Sequence, residues 1–243
     1  MKKFKLWTNS KLGFLVYIFF YLINTNFAIS QNYTNDLINQ LENSLNSNNK
    51  DKLYSFFEKE EGLKIEKKFK KFTSEFKNIN WQFKKLKRKS LDYYVVNIKL
   101  TGSRKNGRTE FLLESKFNYL FNLKNGKIKS GFINNHLTTI RNDNNNLNIL
   151  FQIPNKVLTG SEYDIDIVLK DPLENQIIAG IVNEHPEESI FKEELILEPL
   201  AAGGIFKVTR APSKPGIQIW SGMIAHPDGL ISFTKTVSVV DKI

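Results

Sequence analysis

The 243-residue chain has no cysteine. That absence excludes a disulfide-stapled scaffold, Cys-ligated zinc, iron–sulfur clusters, thiol catalysis and a lipid tether through cysteine. Histidine is scarce too. His136, His185 and His226 stand far apart without ligand spacing, so neither a metal nor another cofactor is expected. No apolar run reaches the roughly 20 residues that a membrane span needs. Disorder throughout is also excluded, because 41% of the residues are hydrophobic and 25% are charged.

What is present begins with an address. Met1–Lys11 carries four lysines and no acid, Leu12–Ile23 is almost wholly apolar, and Ala28-Ile29-Ser30 follows a polar break. A positive stretch, a short apolar stretch and small residues two apart predict a secretory leader, residues 1–30, cleaved before Gln31. The protein is then exported, to the periplasm or the cell exterior, and touches the membrane only in transit through the leader. An uncleaved leader would instead be an N-terminal membrane anchor.

Charge divides the remainder. Residues 31–143 hold 23 Lys and Arg against 12 Asp and Glu, whereas residues 144–243 hold 8 against 13. The sign changes at Asn142–Asn146, a polar stretch with no apolar residue. Two domains are expected, 31–143 and 144–243.

In the first, Leu37, Ile38, Leu41 and Leu45 mark one helical face. Asp51–Glu61 is a second short helix, and Ile65, Phe69, Phe72, Phe76 and Ile79 mark a third. Alternating stretches follow around Trp81 and Phe83, over Tyr94–Leu100, and over Thr109–Leu123. Asn125-Gly126 then turns the chain into Lys127–Arg141, since both residues accept positive φ. In this order and patterning, residues 33–141 resemble the NTF2-like (SnoaL-like, ketosteroid-isomerase-like) family. The matching pieces are Asn49–Phe57 as second helix, Phe69–Ile79 as the helix on the sheet, and Trp81–Gly102 with Arg108–Arg141 as long hairpins. The resemblance implies an α+β fold, three helices on a curved antiparallel sheet forming a cone that often holds a small apolar ligand. The expected ligand pocket comprises Phe72, Phe76, Trp81, Tyr94, Phe117, Tyr119 and His136. Enzymes of that family resemble one another in placing an acidic base and a tyrosine or second acid inside the cone, whereas Glu58–Glu61 here reads as an exposed helix end.

In the second half, seven short alternating stretches are punctuated by all seven prolines, from Pro154 to Pro227. This spacing predicts an all-β, immunoglobulin-like sandwich. Its acids lack the spacing of a calcium loop and read as a solvated surface.

The lysines of the third helix, continued by Lys84, Lys85, Lys87, Arg88 and Lys89, fit either an anionic partner surface or a solvated face. Nucleic acid is not expected, because no stacking aromatics are interleaved with them. The leading expectation is an exported protein that binds a small apolar ligand or a protein partner without catalysis. One alternative is an isomerase or dehydratase using polar residues of the cone. The other is a structural module docking through the sandwich.

Overall fold

The computed structural model describes residues 33–90, 93–143, 147–170, 177–185, 196–200 and 203–242, without the side chains of residues 85 and 86. Three helices come first: α1 (residues 33–46), α2 (Lys50–Ser55) and α3 (Lys59–Glu75). The Asn49 side chain caps α2 by accepting from the Lys52 N–H at 3.1 Å, which satisfies one of the donors left open at a helix start. The apolar stripe of α3 outlives its helix. The helix stops at Glu75, Phe76 is already extended, and Asn78 takes a positive φ of 51° as the chain turns into strand. Ile79 therefore packs with Phe72 and Phe76 from a strand.

That strand is β1 (Lys77–Arg88), followed by β2 (Tyr94–Asn106), β3 (Thr109–Lys124) and β4 (Lys127–Asn142). They pair antiparallel in chain order. Asn125 and Gly126 both take positive φ in the β3–β4 turn. Eight further strands follow: β5 (Ile149–Gln152), β6 (Lys156–Leu158), β7 (Glu162–Leu169), β8 (Ala179–His185), β9 (Glu198–Pro199), β10 (Gly204–Arg210), β11 (Gly216–His226) and β12 (Gly229–Val240).

The main sheet runs β1-β2-β3-β4-β12-β11-β8-β9, and β6 adds to β12 in parallel beyond the end of β4. A second, three-stranded sheet has the order β10-β7-β5. Paired residues project from the same face of a sheet, so the register shows where each layer lies. The helices cover one face over β2–β4, where Leu37, Leu41, Leu53, Phe57 and Phe69 meet Val96, Ile98, Phe121 and Ile128. The small sheet covers the opposite face over β12, β11 and β8, where Ile165 and Ile167 meet Trp220, Ile224, Phe233 and Val237. The main sheet is thus capped on alternate faces in its two halves.

This corrects the α+β expectation and its NTF2-like cone. The protein is predominantly β, and its main sheet runs through strands of both halves. A cone's sheet would end at β4. Here β4 gives its outer edge to β12, with pairs from Arg141↔Ile231 to Leu137↔Lys235. Alternation along a strand fixes which side is apolar. The neighbour along its edge is held by backbone groups that every residue carries, so the pattern is silent about it. The second half is β-rich and sandwich-like, as expected. Residues 1–30, read above as a leader, residues 144–146 of the polar stretch, and Glu187, Glu188, Glu193 and Glu194 among the acids of the second half lie outside the described residues.

Candidate functional site

The aromatic residues expected to line a pocket pack on one another. Phe72 stacks on Phe76 with centroids 5.3 Å apart and meets Trp81 edge-on at 6.1 Å. Tyr94 and Tyr119 flank Phe121, each at 5.6 Å. Phe117 meets the His136 ring edge-on at 6.2 Å. The structure brings Phe72, Phe76, Trp81 and Phe117 into one cluster. It places Tyr94 and Tyr119 in the neighbouring one, which Trp81 and Phe117 also touch.

Polar groups are embedded in this helix–sheet layer. Glu61, in the first turn of α3, is 8% exposed, not the solvated helix end read from its neighbours. The turn is pulled down because the Glu58 N–H donates to the Ile128 carbonyl at 2.9 Å and the Ile128 N–H donates to the Phe56 carbonyl at 2.8 Å. Burial, and secondarily the nearby Glu61 carboxylate, raises the pKa of the Tyr119 hydroxyl. The Tyr119 ring lies across β4 at Gly131, where an added Cβ would fall 2.1 Å from Oη and 2.3 Å from Cζ. The ring is wedged against Phe121 and cannot simply swing away. Gly131→Ala is therefore expected to cost about 1–3 kcal/mol of stability, read as a lower urea midpoint at unchanged m-value.

A concavity lies elsewhere. A groove of about 300 Å³ crosses β4, β12, β11 and β8, lined by Thr138, Ile140, Ile181, Asn183, Ser221, Met223, Ser232 and Thr234, with Gly222 and Phe233 completing it. Ile140 pairs with Leu113 of the helix-side cluster on one edge and with Ser232 on the other. The groove therefore sits on the helix side of the sheet, beyond the helices and opposite the small sheet.

Two registered rows cross its floor and continue past it onto β3. One is apolar at Leu113, Ile140, Met223 and Ile181, with Ser232 between. The other is polar, running Ser115, Thr138, Thr234, Ser221 and Asn183 across five strands. Ser115 Oγ and Thr138 Oγ1 lie 2.6 Å apart, and Ser221 Oγ and Thr234 Oγ1 lie 3.0 Å apart. His136 flanks the polar row: its Nε2 is 2.6 Å from Thr138 Oγ1, and its backbone N–H donates to Thr236 Oγ1 at 3.0 Å. Burial, with a smaller push from Lys235, lowers the His136 pKa to about 4, so the ring is neutral near pH 7.

The charged side chains of these strands take the other face. Lys235 pairs with Leu137 and Trp220, is 5% exposed and donates to Asn155 Oδ1. Glu114 lies 2.8 Å from Lys116 and 3.5 Å from Lys99. The Lys116 hydrogen bond, against opposing burial, holds the Glu114 carboxyl below its usual pKa.

A second cavity of about 210 Å³ lies at the start of α1 against the β3–β4 turn, between Tyr33, Gln40, Phe56 and Lys127. Tyr33 Oη donates to the Gly126 carbonyl there at 3.1 Å. On the outer face of α3, Lys67, Lys68 and Lys71 are exposed, while Lys70 pairs with Glu66 at 2.6 Å. Among the described residues no cluster of His, Asp or Glu could hold a metal ion, and no helix is long and apolar enough to cross a membrane.

Residues 144–240 match a family model described as a domain of unknown function (DUF8623). No curated protein matches the chain.

Proposed function

We propose that the protein is an exported, non-catalytic binding protein whose ligand is small and mainly apolar and lies in the groove over β4, β12, β11 and β8. The observation that carries this reading is a concave, uncharged sheet face left open beyond the helical layer, on the side of the sheet opposite the small sheet. Pockets that bind small ligands are concave, largely apolar and supplied with a few placed polar groups. Ile140, Met223 and Ile181 provide the apolar floor, and Thr234, Ser221 and Asn183 provide the polar row. Export is supported by the N-terminal charge and apolar pattern, and the sandwich-like packing supports an immunoglobulin-like second half. The exposed lysines of α3 support docking on an anionic surface.

The test is displacement of N-phenyl-1-naphthylamine. Wild type is expected to bind the probe saturably at one site. Thr234→Trp, which fills the groove from its centre, is expected to weaken binding by at least about tenfold, the effect of losing roughly 1.4 kcal/mol of contact. Unchanged binding in a folded Thr234→Trp protein would refute the groove as the site.

A further inference from the structure

We infer that the groove selects an uncharged ligand bearing a hydroxyl or carboxamide head, and discriminates against a carboxylate or phosphate of the same length. The inference rests on the groove being the ligand site and adds the chemistry of the ligand's polar end.

The helix-side face of the five central strands is free of charged residues. On β3 it carries Leu113, Ser115 and Phe117. On β4 it carries His136, Thr138 and Ile140, and on β12 Leu230, Ser232, Thr234 and Thr236. On β11 it carries Ile219, Ser221, Met223 and Ala225, and on β8 Ala179, Ile181, Asn183 and His185. None is Lys, Arg, Asp or Glu, in a chain with a formal net charge of +10 and 25% charged residues. Lys235, Arg141 and Lys116, which lie in register with the groove strands, belong to the opposite face. Arg104, on the helix side of β2 two strands from β4, is held over the Phe76 and Phe111 rings and is not part of the groove lining. An anion entering the groove would be partly desolvated with no cation in the lining to meet it, which is costly.

The polar groups that remain are of the kind a neutral head needs. In the Thr234–Ser221 hydroxyl pair, one hydroxyl donates to the other. That leaves one O–H free to donate and lone pairs free to accept. The Asn183 carboxamide, exposed at the rim, also donates and accepts. Such a site answers both halves of an alcohol or amide and offers a carboxylate no compensating charge. Thr138 is already engaged by Ser115 and His136, which places the recognising end of the groove at β12, β11 and β8.

The experiment compares 1-octanol with octanoate as competitors for the naphthylamine probe on the full chain at pH 7.5 and physiological salt. Salt suppresses the nonspecific pull of a basic protein on anions. Octanol is expected to displace the probe at about tenfold lower concentration than octanoate, the scale expected for an unpaired, partly desolvated charge. Asn183→Lys, a change at an exposed rim position, is expected to reverse the order. Octanoate competing as well as or better than octanol in wild type would overturn the inference. So would an unchanged order in Asn183→Lys. If the probe binds in the groove and neither competitor displaces it, the ligand class is wrong and the groove reading stands. If the probe does not bind at all, both fall.

Discussion

Trp220→Ala is expected to lower the unfolding free energy by about 3–5 kcal/mol, enough to leave the second half unfolded in a protein of ordinary stability. Trp220 is 1% exposed at the centre of the sandwich-like core. Its ring is covered by the Lys207 ammonium at 5.3 Å, and its Nε1–H donates to Tyr163 Oη at 2.8 Å. Tyr163 in turn donates to Gln218 Oε1 at 2.9 Å, and Gln218 donates to Glu184 at 3.0 Å. Burial raises the Tyr163 hydroxyl to about 12 even though the Trp220 hydrogen bond opposes the shift. Truncation opens a cavity and removes the chain's first donor. Trp220→Phe keeps most of the volume and removes only the donor, so it should cost about 1 kcal/mol plus a smaller packing loss. Equilibrium urea unfolding of both variants measures the difference. Equal losses in the two would mean that the ring's bulk is not what holds the layers together.

The second large effect is one of pH. Between pH 6.5 and 4, wild type is expected to lose up to roughly 3 kcal/mol of stability that His136→Gln does not lose. An unfolded histidine takes up its proton near pH 6.5. In the folded protein, burial and Lys235 delay uptake until about pH 4. Between those values the unfolded state binds more protons, so stability rises with pH through the window and falls as the solution is acidified. Above pH 6.5 the effect is absent, because the ring is neutral in both states. Subtracting the His136→Gln profile from that of wild type removes the carboxylates, which titrate in both proteins. A flat difference between pH 7 and 4 would show that His136 is solvated when folded.

The sequence was informative where local physics decides. The apolar stripes of α1 and α3, the Asn125-Gly126 turn, and β7, β11 and β12 follow from residue type and spacing. Ile79 shows the first limit. Its position on the helical stripe is right for packing with Phe76, yet the helix has already ended, because a periodic stripe does not say where backbone hydrogen bonding stops. Glu61 shows the second. A charged residue in an acidic run reads as exposed, and only the tie between Glu58 and Ile128 pulls that turn onto the sheet.

The groove shows the third limit, since it is assembled from three separate stretches of chain, β4, β8 and the β11–β12 hairpin. A signal for it was nonetheless there. In Gly229–Val240 and Gly216–His226 the residues alternating with the core ones are Leu230, Ser232, Thr234 and Thr236, and Ile219, Ser221, Met223 and Ala225. An ordinary solvated face would carry charge at such positions. The β4–β12 pairing had no signal of this kind, and it is what joins these residues to Thr138 and Ile140.

The most direct test is a methyl-resolved NMR titration of the protein with 1-octanol. The methyls of Ile140, Ile181 and Met223, on the groove floor, are expected to shift together along one saturable curve. Those of Ile98 and Ile128, in the helix–sheet core, are expected to stay in place. Shifts confined to Ile98 and Ile128, with Ile140, Ile181 and Met223 unmoved, would place the ligand among the helices and contradict the account.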